Sequence, residues 1–183
     1  MVSSRSLTRH GLSLMLALVF MLTGGLSGIA RADQPAPDDA QLTGTVQVSG
    51  DVRAPTMFTL DALRALPART ESVTFGTDAG PQSHTYAGCQ LDALITATDP
   101  NVDVAAKHPL LTVTVLATGA DGYAAAVAWA EIAPTLSARP ALVAYTEDGK
   151  PLPQPRLVLP GDIEGARYVS DLTDLRVVNL AHA

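Results

Sequence analysis

Short apolar runs, each stopped by a glycine, a proline or an Asp-Gly pair, limit what this chain can fold into. Residues 110–117 (Leu-Leu-Thr-Val-Thr-Val-Leu-Ala) form the clearest run and read as a strand. After the Asp121-Gly122 turn, residues 122–127 supply its partner. Residues 43–48 alternate β-branched with small side chains and predict a first strand, stopped at Gly50-Asp51. Residues 71–75 and 83–86 flank a turn at Asp78-Ala79-Gly80-Pro81 and predict a hairpin. Residues 141–145 and 156–159 flank a second turn at Glu147-Asp148-Gly149-Lys150, and residues 168–170 and 175–179 close the sheet. Helical spacing is brief. Thr59 caps a turn or two with Leu60, Leu63 and Leu66 on one face and Pro67 at its end. Leu91, Leu94 and Ile95 mark a second helix before Asp99-Pro100, and residues 129–132 give a single turn. Eight or nine short strands with two or three short helices predict an α+β domain that is mostly β, without the regular strand–helix alternation of a parallel fold.

The first 32 residues carry a different signal. Arg5, Arg9 and His10 precede an uncharged stretch at 12–22, and Ala30-Arg31-Ala32 has the small-x-small form of a peptidase site, so residues 1–32 read as a signal peptide with a mature N-terminus at Asp33. The apolar stretch falls short of the roughly 20 residues a membrane span needs. Arg5 and Arg9 are not adjacent, which excludes a twin-arginine signal and favours export of an unfolded, empty chain. Residues 33–41 are polar, unpatterned and hold two prolines, predicting a flexible leader; the folded domain is expected over 42–180, with a tail at 181–183. Cleavage removes three of the twelve basic residues and none of the eighteen acidic ones, leaving nine against eighteen and a formal charge of −9. That balance opposes nucleic-acid binding and binding to anionic membranes after signal cleavage. A soluble, acidic, periplasmic or secreted protein is expected.

Few residues offer chemistry. None of the phosphate-loop, dinucleotide, nucleophile-elbow or zincin motifs occurs. His84, His108 and His182 are far apart in sequence and read as surface or hydrogen-bonded side chains rather than a metal trio. Cys89 stands alone, so no intrachain disulfide forms. At the entry to the second helix it is either a thiolate or a small buried apolar side chain, and the second reading is preferred. Asp121-Gly122-Tyr123 is either a tight turn or a turn presenting tyrosine to a pocket. Arg156, between Pro155 and Leu157-Val158-Leu159, needs either an anionic ligand or a carboxylate, for which Asp162 and Glu164 are the candidates.

Taken in order, these segments resemble the molybdopterin-binding oxidoreductase domain, the sulfite-oxidase fold. The resemblance runs through Leu42-Thr43-Gly44, Phe58-Thr59-Leu60, Val73-Thr74-Phe75, Tyr86-Ala87-Gly88-Cys89-Gln90-Leu91, Asp121-Gly122-Tyr123, Asp148-Gly149-Lys150-Pro151-Leu152 and Pro155-Arg156-Leu157-Val158-Leu159-Pro160-Gly161. It implies a molybdenum held by a cysteine just after the strand matching residues 73–75. Here that stretch reads Phe75-Gly76-Thr77-Asp78, and Cys89 falls elsewhere. The resemblance also places Arg156 near the family's substrate anion and Asp121 and Tyr123 at its pocket-side turn. The expectation is a small exported member without bound molybdenum, in which Arg156, Tyr123 and Asp121 bind a small anionic ligand, or which binds a periplasmic protein partner. Two alternatives stand beside it: an active molybdopterin-dependent oxidoreductase, and a structural accessory subunit of a redox system.

Overall fold

Among the described residues, nine strands and three short α-helices follow in the order β1 (Thr45–Gly50), β2 (Thr56–Thr59), α1 (Leu60–Arg64), β3 (Ala68–Phe75), β4 (Gln82–Gln90), α2 (Leu91–Thr96), β5 (Val113–Gly119), β6 (Ala124–Ala128), α3 (Trp129–Ile132), β7 (Leu142–Glu147), β8 (Lys150–Val158) and β9 (Leu172–Asn179). The computed structural model describes residues 44–182, so the expected signal segment at 1–32 and leader at 33–41 lie outside the described residues. No helix among the described residues is long and apolar enough to cross a membrane.

The strands form two sheets. One has the order β2-β1-β9-β5-β6 and the other β3-β4-β7-β8. In the first, β9 runs parallel to β1 and antiparallel to β5, so the last strand lies in the middle. In the second, the hairpins β3–β4 and β7–β8 join through the antiparallel pairing of β4 with β7, and β8 is an edge. Its three prolines, Pro151, Pro153 and Pro155, are tolerated there because an edge strand has one side on which no ladder donor is needed.

The part of the four-stranded sheet around the end of β4, the start of β7 and the end of β8 is buried on both faces. Cys89, Val143 and Leu157 join the main core with Val46, Val115, Leu175, Val177 and the helix residues Leu63, Leu94 and Ile132. The alternate residues of the same strands, Tyr86, Leu142, Ala144 and Val158, join a second cluster with Val73 and Phe75. Pleating sends successive side chains to opposite faces, which is why 141–144 is apolar without interruption. Tyr168 and Leu152 pack against this second cluster.

Several boundaries differ from expectation. The strand expected at 110–117 starts at Val113, because Pro109 opens a 3-10 turn over Pro109–Thr112. Residues 168–170 form no strand: Val169 makes one isolated bridge to Leu157, and Asp171 at φ 46° turns the chain into β9. β2 was not expected. It is four residues long and follows Pro55 directly, so it carries almost no periodic signal.

Candidate functional site

Register brings the polar residues of the four-stranded sheet together. Val73 pairs with His84 and Glu71 with Tyr86 across β3 and β4. Tyr86 lies opposite Glu147 across β4 and β7, and Ala144 lies opposite Arg156 across β7 and β8. An irregularity between Ala144 and Thr146 changes the pairing, and it puts Glu147 within reach of Arg156. His84, Tyr86, Glu147 and Arg156 thereby share the face that bears Phe75 and Tyr168.

Arg156 is half-buried. Its Nη1 donates to Glu147 Oε2 at 3.2 Å and to the Tyr86 hydroxyl at 3.0 Å, and that hydroxyl donates to Glu147 Oε1 at 3.1 Å. The guanidinium also lies 5.9 Å from the Tyr86 ring centre. Burial raises the Tyr86 phenol above its ordinary value, with the Arg156 hydrogen bond opposing. The carboxylate partner of Arg156 is therefore Glu147, and neither Asp162 nor Glu164. Asp162 is held by Arg167 through contacts of 2.9 and 2.6 Å, and Glu164 packs against Gly76. Both candidates lie downstream in the loop after β8, whereas the partner comes from the preceding strand.

His84 extends the cluster toward solvent. Its Nδ1 lies 2.9 Å from Asp148 Oδ2 and 3.2 Å from Glu147 Oε1. Asp148 Oδ1 accepts the Thr85 backbone N–H at 2.8 Å. That bond first, and the His84 contact second, hold the Asp148 carboxyl below its usual range. His84, Ser83, Thr85 and Asp148 border an open hollow of about 220 Å³. A row of rings backs the cluster: Phe75 to His84 at 6.1 Å, His84 to Tyr86 at 5.8 Å and Tyr86 to Tyr168 at 6.3 Å between centroids.

Asp121 and Tyr123 belong to the other sheet. They form the β5–β6 turn, where Gly122 takes φ 84° and Asp121 Oδ1 accepts the Tyr123 N–H at 2.9 Å. The Tyr123 hydroxyl donates to the Ala166 carbonyl. Among the described residues no hydrogen bond or ion pair joins either residue to Arg156. His108 and His182 are likewise apart from His84. His108 borders a hollow with Leu111 and Trp129, and His182 sits beside Asn179. In the sequence Glu147 and Asp148 read as turn residues, and His84 as a strand residue with a surface or hydrogen-bonded side chain. Their convergence depends on the irregular pairing of β4, β7 and β8.

The donors that a molybdenum thiolate needs do not fit. Cys89 is on β4, fully buried in the main core, on the opposite face from Arg156. Burial pushes its thiol up to about 12, the reverse of the lowering expected at a helix N-terminus. After β3, where the family resemblance implies the ligand, Gly76 is pressed against Glu164, and a Cβ there would lie 2.6 Å from Glu164 Oε1. The stretch 75–78 itself holds no cysteine.

No protein-family model matches the chain, and no curated protein sequence does. Among solved structures it is similar to a chain of the sulfane dehydrogenase SoxCD from Paracoccus pantotrophus, with 18% identity and a TM-score of 0.61 over 78% of this chain and 40% of that one. The chain thus spans about two fifths of that neighbour's length. At this identity the likeness is one of fold, and it supports a distant sulfite-oxidase-like fold for these two sheets.

Proposed function

We propose that this chain is an exported sulfite-oxidase-fold domain that works without a protein-held molybdenum, as a periplasmic or secreted module binding a small anion or a partner protein. The observation that carries this reading is the state of its one thiol. Thiolates, not thiols, ligate metals, and a fully buried cysteine whose thiol is pushed up to about 12 is almost wholly protonated at neutral pH. The likeness to part of SoxCD supports the scaffold and leaves the chemistry open, because one fold hosts many functions. Protein purified from its native compartment is expected to contain no stoichiometric molybdenum or pterin by elemental and fluorescence analysis. One molybdenum per chain would return it to the oxidoreductase reading.

Within this proposal Arg156 is an anion contact. It spends Nη1 on Glu147 and Tyr86, while Nε and Nη2 have no partner among the described residues, and about a quarter of its side chain, 26%, is exposed. A guanidinium with one edge held and the other open presents paired donors to a sulfate-like or carboxylate group. Arg156→Ala is expected to weaken sulfate binding by about 1.5–3 kcal/mol in calorimetry, the range for a hydrogen bond to a charged group. Arg156→Lys recovers part of it, because a point charge lacks the fork. Unchanged binding in both variants removes Arg156 from the site and leaves the partner-binding reading. Asp121 and Tyr123, at the β5–β6 turn, are the other two proposed contacts, and Tyr123→Phe in the same sulfate titration tests them.

A further inference from the structure

The cluster at the mouth of the four-stranded sheet holds an arrangement that the anion reading does not use. Two carboxylates from neighbouring positions, Glu147 and Asp148, converge on one imidazole nitrogen, His84 Nδ1, at 3.2 and 2.9 Å. That nitrogen carries at most one hydrogen, so it cannot give each carboxylate a full hydrogen bond. With a neutral imidazole, the group of Glu147, Asp148 and Arg156 carries one excess negative charge on a domain that is already acidic.

We infer that His84 Nδ1, Glu147 Oε1 and Asp148 Oδ2 form a binding site for a divalent transition-metal ion of the zinc class. The three donor atoms lie within 4.8 Å of one another. Bonds of about 2.1 Å put neighbouring ligands roughly 3.0–3.4 Å apart, from right-angled to tetrahedral geometry. The observed spacings of 2.9 and 3.2 Å are already close to that sphere. The remaining oxygens are held from outside it. Thr85 N–H fixes Asp148 Oδ1 and Arg156 bonds Glu147 Oε2, while Asp148 Oδ2 and Glu147 Oε1, the latter also accepting the Tyr86 hydroxyl at 3.1 Å, face His84 Nδ1. Partners of this kind orient metal ligands and account for much of their affinity. An imidazole nitrogen with two carboxylates favours zinc or a neighbouring transition ion over magnesium or calcium, which prefer all-oxygen sets. Three protein donors beside the open hollow at Ser83, Thr85 and Asp148 leave a coordination position for water or an anion. This site goes beyond the anion- or partner-binding reading and stands without it.

The test is titration of the chelator-stripped full chain with zinc alone, followed by calorimetry. One zinc per chain is expected, with a rise in melting temperature. His84→Ala and Asp148→Asn are each expected to weaken binding at least about tenfold, the lower end of the loss seen even for residues that only support a metal ligand. Asp148→Asn preserves shape at an exposed position, so it reports on binding even if His84→Ala loosens the sheet. His108→Ala and His182→Ala are expected to bind as the parent does. Absence of saturable binding overturns the proposal. So does binding that survives both His84→Ala and Asp148→Asn, or that is lost in His108→Ala or His182→Ala. The molybdenum analysis and the sulfate titration are read separately and are unaffected by any of these results.

Discussion

Tyr86→Ala is expected to lower stability by about 3–5 kcal/mol, the range for deleting a buried aromatic ring. Tyr86 is fully buried and is the largest of the fully buried side chains. Its ring joins the row from Phe75 through His84 to Tyr168, and its hydroxyl links Arg156 to Glu147. The alanine variant loses the ring and leaves a cavity beneath a half-buried ion pair. Tyr86→Phe separates the two contributions. It removes only the hydroxyl, while Arg156 and Glu147 remain 3.2 Å apart, so a loss near 1 kcal/mol is expected. Urea denaturation of the three proteins reads the difference through the midpoint at constant slope. If the alanine variant costs no more than the phenylalanine variant, the ring does not hold this face together.

The second large effect is expected at Gly88, where one methyl group is enough. A Cβ there would lie 2.6 Å from the Ala144 Cα and collide with the Val143 carbonyl oxygen. Both obstacles are backbone atoms of β7, at the point where the pairing of β4 and β7 shifts register. No rotamer change relieves such a contact, so β7 must retreat or the irregularity must move. Gly88→Ala is expected to cost roughly 3 kcal/mol, the upper end of ordinary overpacking. Gly161→Ala serves as the comparison: nothing lies within 4 Å of a Cβ there, and a change within about 0.5 kcal/mol is expected. Equal midpoints for the two variants would show that β7 yields without cost.

The parts of the fold that the sequence makes legible are local. The β3–β4 hairpin follows from two alternating runs around Asp78-Ala79-Gly80-Pro81, and α1 from Thr59 ahead of Leu60 and Leu63. The burial of Cys89 also follows from its type and apolar surroundings. The site is different, because it is made by register. Arg156 signals a need for a partner by standing between Pro155 and Leu157, yet nothing along the chain says that Glu147 meets it. That contact requires the shift at Ala144–Thr146, and the His84–Asp148 contact spans 64 positions. Read as a turn, Glu147-Asp148-Gly149-Lys150 shows why the chain reverses and hides what its two acids face. The same limit separates Tyr123 from Arg156. Tyr123 sits in the β5–β6 turn and Arg156 on β8, and only the division into two sheets shows that these elements belong to different ones.

The central place of β9 also bears on how the unfolded chain reaches this structure. β1 with β2, and β5 with β6, form antiparallel pairs of residues close in the chain, but neither pair touches the other within the sheet except through β9. Residues 172–179 must bridge to residues 47–50, across most of the domain, before the five-stranded sheet exists. Pairings of such long sequence separation close loops at an entropic cost and slow folding. Until β9 joins them, the folding chain therefore holds two unfinished half-sheets, each with an open edge.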